Sequence, residues 1–239
     1  MSTFNKVSIV MPVYNGERYI AKSIEKVSLY MDKLGIPYEI IVVDDGSTDN
    51  TYEEAIANSK DGVRVVRYPV NKGKGYAFLY GALRSEGERI ILFDSDLDIP
   101  LYQISILLKI IERKNADIVI TNKWHPRSMT VASPLRKFMS YTFNMLVKLL
   151  TGLKIRDTQT GAKAFKRHAL LEIAKKLYVK RYAFDVELLL VAQQLGYKIV
   201  EIPSLRPIVL TSKFRIKEIF RMALELLSIT YRHRLFKQR

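Results

Sequence analysis

Three carboxylates at alternating positions, in Asp94-Ser95-Asp96-Leu97-Asp98, are the sharpest chemical feature of this chain. They follow Arg89-Ile90-Ile91-Leu92-Phe93, an apolar run with the length and residue types of a buried strand. Acidic side chains this close repel one another unless a cation or several donors lie between them. Oxygen-rich clusters of this kind suit Mg2+ or Mn2+, usually shared with substrate phosphates. Taken alone, the five residues read as a solvated turn sooner than as a site, so their meaning rests on what else reaches the same edge.

Three other loops follow apolar runs in the same way. Tyr14-Asn15-Gly16-Glu17 follows Val7 to Val13, Asp44-Asp45-Gly46-Ser47-Thr48-Asp49 follows Tyr38 to Val43, and Asn71-Lys72-Gly73-Lys74-Gly75 follows Val63 to Tyr68. Asp44 or Asp45 can accept a hydrogen bond from a base N–H or a ribose hydroxyl, and Tyr14 can flank a base. Lys74, set among glycines that let backbone approach closely, can meet a phosphate. Each has an ordinary alternative: a simple turn at Asp45-Gly46, a core place for Tyr14, a solvated Lys74.

Helical periodicity fills the gaps: Glu17 to Lys33, a helix capped by Thr48 or Asp49, Tyr76 to Ser85, and Pro100 to Lys114, with a fifth strand at Asp117 to Thr121. Strand, turn and helix repeated in this order predict a mostly parallel sheet with helices on both faces. Ligands of such sheets bind beyond the C-terminal strand ends, near the topological switch point. All four polar loops belong at that edge, which favours a shared site over four unrelated turns.

From Trp124 the pattern changes. His125-Pro126-Arg127-Ser128-Met129 reads as a loop and Pro134 to Leu150 as a helix. Asp157-Thr158-Gln159-Thr160-Gly161 is a polar turn, followed by a helix from about Arg167 and another from Phe184 to Leu195 closed by Gly196. Lys198 to Ile202 is a strand and Phe214 to Arg234 a final helix. With no linker-like or repetitive tract, residues 1–239 read as one domain: a nucleotide half to about 122, an acceptor half from 123 to 213, and a basic amphipathic helix over 214–239.

The bulk properties agree. The chain has 239 residues, 48% of them hydrophobic, enough for a substantial core. It contains no cysteine, which excludes disulfides and thiolate metal sites and fits a reducing compartment. The polar start, Met1 to Lys6, reads as no signal peptide, and no apolar run reaches the roughly 20 residues of a membrane span. A net charge of +15 favours anionic partners: nucleic acid, an anionic membrane face or phosphorylated substrates. A dinucleotide fold would carry G-x-G-x-x-G after the first strand and a P-loop would carry G-x-x-x-x-G-K-[ST]; neither occurs, so a bound nucleotide is expected as substrate rather than redox cofactor.

Val10-Met11-Pro12-Val13-Tyr14-Asn15, Val43 to Asp49, Asn71 to Gly75 and Asp94-Ser95-Asp96 together resemble the family 2 glycosyltransferases with a GT-A (Rossmann-like) α/β fold. Arg156 to Gly161, Phe184-Asp185-Val186-Glu187-Leu188-Leu189 and Ser212-Lys213 resemble the polyprenyl-phosphate sugar transferases, of dolichyl-phosphate β-glucosyltransferase type first and mannosyltransferase type next. The resemblance implies inverting transfer of a hexose, glucose from UDP-glucose before mannose from GDP-mannose, to a polyprenyl phosphate with Mg2+ or Mn2+. It implies metal contacts from Asp94, Asp96 and Asp98. Donor contacts would come from Pro12, Tyr14, Glu17, Asp44, Asp45 and Ser47, together with Lys74, Asp94 and Ser95. Catalytic contributions fall on Asp96, Lys123, Arg136 and Asp157, and acceptor-phosphate contacts on Lys123, Arg136, Ser212 and Lys213. Gln159, Asp185 and Glu187 fall near the sugar or acceptor, with capping or buried ion pairing as their alternative. Asp98 stands where mannosyl relatives often carry glutamine, and Lys123 where many carry arginine.

The chemistry suits these residues. A lipid phosphate already bears negative oxygen, so it needs positioning and relief from repulsion rather than a base. His125, His168 and His233 are scattered and form no triad pattern. A very hydrophobic acceptor requires a membrane surface, and the helices at Pro134–Leu150 and Phe214–Arg234, apolar with basic flanks, are the expected contacts on a cytoplasmic face. Core packing is the alternative for both. A non-catalytic nucleic-acid-binding protein is the rival class, disfavoured because the acidic cluster repels a phosphate backbone.

Overall fold

The computed structural model describes residues 6–178, 181, 183–204, 208–209 and 224–233. Its elements in chain order are β1 (Val7–Val13), α1 (Ile20–Leu34), β2 (Tyr38–Asp44), α2 (Thr51–Ala57), β3 (Val63–Arg67), α3 (Lys74–Ala82), β4 (Arg89–Phe93), α4 (Tyr102–Arg113) and β5 (Ile118–Asn122). There follow β6 (Thr130–Val131), α5 (Pro134–Thr151), β7 (Ala162–Lys166), α6 (Arg167–Ala174), α7 (Phe184–Gln194), β8 (Ile199–Pro203) and β9 (Ile208–Val209). Residues 224–233 form a C-terminal helix.

The main sheet has seven strands in the order β3-β2-β1-β4-β7-β5-β8, and β6 pairs with β9 apart from it. All main-sheet pairings are parallel except those of β7, which runs antiparallel to both β4 and β5. Burial of both sheet faces explains the continuous apolar runs, since every residue of β1 is buried. Alternate side chains then enter opposite cores. Ile9, Met11, Ile40, Val42 and Ile91 pack against α1 and α4, whereas Val10, Ile41, Val43, Leu92 and Phe165 pack against α3, α6 and α7.

Up to β8 the predicted strands and helices recur with shifts of a few residues. Of the helix predicted over Phe214–Arg234, residues 224–233 are helical and the rest lies outside the described residues. Helix α7 ends as expected at Gly196. That glycine has φ 78°, with Gly196 N–H donating to Gln193 O and Tyr197 N–H to Ala192 O. Helix α1 starts three residues later than predicted, and α2 begins at Thr51, whose N–H donates to Asp49 Oδ1. β7 was not anticipated. Its sequence, Ala-Lys-Ala-Phe-Lys, shows no apolar run because the buried face is built partly from a lysine.

Candidate active site

β1 pairs with β2 on one side and β4 on the other, which puts the switch point between β1 and β4. A cavity of about 350 Å³ opens beyond the C-terminal ends of these strands. It is lined by Pro12, Val13, Tyr14 and Tyr19 from the end of β1 and the approach to α1, and by Asp45 from the end of β2. Asn71, Gly73 and Lys74 come from the start of α3, Asp94, Ser95 and Asp96 from the end of β4, and Arg181 from the approach to α7.

The loops at this edge are stitched together across long sequence distances. Asn15 N–H donates to Ser47 Oγ at 2.9 Å, Gly16 N–H to Thr51 Oγ1 at 2.7 Å, and Asn50 N–H to Glu17 Oε2 at 3.1 Å. Asp45 receives Tyr68 O–H at 2.6 Å and the backbone N–H groups of Lys72 and Gly73 at 2.8 and 2.9 Å. The loop entering α3 is therefore folded around one carboxylate. Arg181 bridges the same loop by donating to Asn71 O at 2.8 Å.

Lys74 Nζ lies 2.5 Å from Asp94 Oδ1. Burial alone would raise the Asp94 carboxyl, but the charges of Lys74, Lys163 and Lys123 and the Lys74 hydrogen bond hold it below the ordinary range. Asp96 goes the other way. Burial first, and then the negative charge of Asp94, push it up to about 6. A carboxyl whose folded pKa exceeds its unfolded value of 3.8 favours the folded state at low pH, and that contribution is lost as pH rises through about 6. Asp96→Asn should therefore raise the metal-free melting temperature at pH 7.5 by about 2–4 °C. At pH 5, midway between the unfolded 3.8 and the folded value of about 6, the rise should be about half as large, as thermal scans at the two pH values would show; an equal change at both would remove the charge explanation.

Asp94 owes its place to Gly161. A Cβ at Gly161 would fall 2.0 Å from Asp94 Oδ2, and Asp94 N–H donates to Gly161 O at 2.9 Å. The loop before Gly161 is pinned as well. Lys123 Nζ donates to Gln159 O at 2.6 Å, Lys123 N–H to Asp157 Oδ2 at 2.7 Å, and Lys163 Nζ to Thr160 O at 2.5 Å. Glu201 Oε1 receives the N–H groups of Arg156 and Asp157 and the amide of Asn122. A second cavity of about 550 Å³ borders the other end of this loop. Ile155 and Arg156 line it with Trp124 and with Lys137, Tyr141, Met145 and Lys148 of α5.

The family model for glycosyl transferase family 2 matches residues 8–174, which contain all of the first cavity except Arg181. The chain belongs to glycosyl transferase family 2. A dolichyl-phosphate beta-glucosyltransferase of Trichomonas vaginalis is 32% identical, the match covering 95% of this chain and 74% of that protein. The human protein of that name is 34% identical, with 84% and 67% covered. Among solved structures, glucosyl-3-phosphoglycerate synthase from Mycobacterium tuberculosis in complex with UDP has a TM-score of 0.68 at 22% identity. That match covers 94% of this chain and 78% of that one. The same protein with Mn2+, UDP-glucose and phosphoglyceric acid gives 0.67 at 21% identity. This glycosyltransferase thus has the GT-A fold expected from its sequence.

Within this glycosyltransferase, Pro12, Tyr14, Asp45, Lys74, Asp94, Ser95 and Asp96 meet at one cavity. Glu17 and Ser47 instead join the two loops beside it, and Asp44 is fully buried, receiving Ser47 N–H and pairing with Arg67. The acidic triplet does not converge. Among the described residues no three acids or histidines gather as a metal site. Leu97 takes φ 56° and Asp96 Oδ1 accepts Asp98 N–H at 3.1 Å, so the chain turns after Asp96 and Asp98 is not among the cavity-lining residues. Glu187 is fully buried, facing His233 at 3.1 Å and receiving Tyr178 N–H, a docking contact for the C-terminal helix. Asp185 pairs with Lys163, Lys123 with the 157–159 turn, and Arg136 falls in the first turn of α5. Ser212 and Lys213 lie outside the described residues. Tyr19, Asn71, Arg181, Gly161 and Lys163 were not anticipated. Of these, Asn71 and Gly161 carried a signal, as the ends of the 71–75 and 157–161 loops.

Proposed function

We propose that this glycosyltransferase moves glucose from UDP-glucose to a polyprenyl phosphate of dolichyl type, with inversion, on a membrane surface. The observation that carries the reading is the meeting of Asp94, Asp96, Lys74 and Arg181 around one cavity beside Tyr14 at the sheet's switch point. The relatives named dolichyl-phosphate beta-glucosyltransferase support the sugar and the acceptor class, and the UDP complexes of the fold neighbour agree with the donor. We read residues 1–122 as the donor half of one domain and 123–213 as the acceptor half.

Asp94 and Asp96 would hold a divalent cation through one oxygen each, a pair that suits Mg2+ or Mn2+ when phosphates and water complete the shell. The Lys74 ammonium already rests on Asp94 as a resident cation. A bound divalent cation would neutralise the charge that grows on the departing diphosphate. Lys74 and Arg181 add positive charge to the same wall, and Tyr14 offers a ring to the base. No side chain has to take a proton from an acceptor that is already anionic. The second cavity suits that acceptor: Lys137, Lys148 and Arg156 can hold a phosphate, and Tyr141, Met145, Ile155 and Trp124 an isoprenoid. The 155–161 loop runs from that cavity to Asp94, which offers the phosphate a path to the sugar.

Among the described residues no helix is long and apolar enough to cross a membrane. Helix α5 nevertheless exposes Leu135, Phe138, Tyr141, Met145 and Leu149, and the C-terminal helix exposes Leu224, Leu227 and Tyr231 while burying Leu226 and Ile229. An exposed apolar stripe beside lysines suits the headgroup region of an anionic, cytoplasm-facing leaflet. Co-flotation with anionic vesicles should recover the protein, and Phe138→Glu should leave most of it in the soluble fraction. Flotation unchanged by that substitution would remove α5 from the interface.

The reaction itself is tested by incubating the protein with polyprenyl phosphate and radiolabelled UDP-glucose or GDP-mannose and extracting into organic solvent. Label from UDP-glucose is expected in the organic phase. Label from GDP-mannose alone would favour the mannosyl reaction, and none from either would overturn the reading.

A further inference from the structure

Lys163 has no exposed surface, an unusual state for a lysine. Taking an ammonium out of water is costly unless its hydrogen bonds and counter-charge are well placed. It sits on β7, opposite Leu92 of β4 and Ile120 of β5. Side chains two apart on a strand share a face, so Lys163 projects on the side of Phe165. Phe165 packs on Phe78 of α3, and Phe78 on Phe184, the first residue of α7. Lys163 therefore rises between the starts of α3 and α7. There its Nζ donates to Asp185 Oδ1 at 2.7 Å and to Thr160 O at 2.5 Å.

Both acceptors sit next to donor-site groups. Thr160 precedes Gly161, whose backbone is pressed against Asp94. Asp185 lies in the first turn of α7 beside Phe184, whose ring fills the space where a Cβ at Gly75 would come within 2.2 Å. Gly75 follows Lys74. Lys74 feels the charges of both Asp94 and Asp185, and Lys163 those of Asp185, Lys74 and Asp94. Two carboxylates and two ammonium groups thus neighbour one another, and Lys163 among them is fully buried.

We infer that Lys163 is a positioning residue for the nucleotide-sugar diphosphate: one ammonium clamps the start of α7 to the 157–161 turn and so fixes Lys74 and Asp94 relative to each other. The role rests on the donor reading above. It differs from a purely structural role, in which the pair with Asp185 would matter only for folding.

The test compares Lys163→Met with the double variant Lys163→Met/Asp185→Asn by melting temperature and by calorimetric titration with UDP in the presence of Mg2+. The single variant leaves a buried carboxylate unpaired and should lose stability. The double variant removes both charges and should recover it, yet still bind UDP about 10-fold more weakly than wild type, the scale on which supporting hydrogen bonds affect a site. Wild-type UDP affinity in the double variant would overturn the positioning role. Asp185→Glu keeps both charges and displaces the carboxylate by one methylene. It should raise the donor KM and leave the lipid-phosphate KM unchanged; an unaltered donor KM would equally count against the clamp. A wild-type protein that does not bind UDP would overturn the donor reading itself and this role with it.

Discussion

Asp94→Asn should lower kcat/KM for the sugar nucleotide on the order of 10³-fold, the loss seen when one charge-stabilising group is removed from a preorganised site. The substitution keeps the volume of the side chain that fills the hollow at Gly161, and the backbone N–H of residue 94 still reaches Gly161 O. What disappears is the negative charge that holds Lys74 at 2.5 Å and that would share a divalent cation with Asp96. The liberated lysine is partly exposed and can be solvated, so the melting temperature should change little. Steady-state kinetics with a thermal scan checks both halves. Activity within about tenfold of wild type would mean that Asp94 serves the fold and not the reaction, since tenfold is only about 1.4 kcal/mol of barrier.

The second large effect is expected from a single methyl group. Gly161→Ala would set a Cβ 2.0 Å from Asp94 Oδ2 and 2.5 Å from its Cγ. Neither side can yield easily, because Gly161 O holds Asp94 N–H and the next residue already pairs in β7 with Phe93. Overpacking of this kind costs about 1–3 kcal/mol of stability, and misplacement of a reacting group by about 1 Å costs on the order of 100-fold in rate. The variant should stay folded, with the donor affected more than the lipid acceptor. Equal loss for both substrates would indicate a general collapse of the turn.

Asp94 and Gly161 mark where sequence pattern ends and tertiary contact begins. β1, β2 and β4 declare themselves because both sheet faces are covered, so their residues are mostly apolar. The acids at their ends could be placed on one edge by topology alone. Which oxygen faces the cavity could not, because that depends on bonds formed across long stretches of chain. Asp45 lines the cavity while holding Tyr68, Lys72 and Gly73, whereas its neighbour Asp44 turns inward to Ser47 and Arg67. The turn at Leu97, after which Asp98 no longer lines the cavity, has no signature in residue type, since a left-handed leucine is uncommon. β7 was hidden for a related reason. A strand with a buried lysine reads as polar until Asp185 and Thr160 are brought beside it. Helix α5 was plainly amphipathic in sequence, but only the fold leaves Phe138, Tyr141 and Leu149 facing outward.

The arrangement also carries a tension between stability and use. Asp96 is held near a second carboxylate where its charge is unfavourable, and a cation would relieve the strain. Proteins retain such groups where binding requires them.

The central claim is that the cavity beyond β1, β2 and β4 holds a nucleotide diphosphate through a cation on Asp94 and Asp96. Crystals grown with UDP and Mn2+ test it through the anomalous scattering of manganese. The expected result is one strong peak within about 2.0–2.3 Å of carboxylate oxygens of Asp94 or Asp96 and of the UDP diphosphate, with the base beside Tyr14. A nucleotide bound elsewhere, or a manganese peak out of contact with both aspartates, would contradict the account.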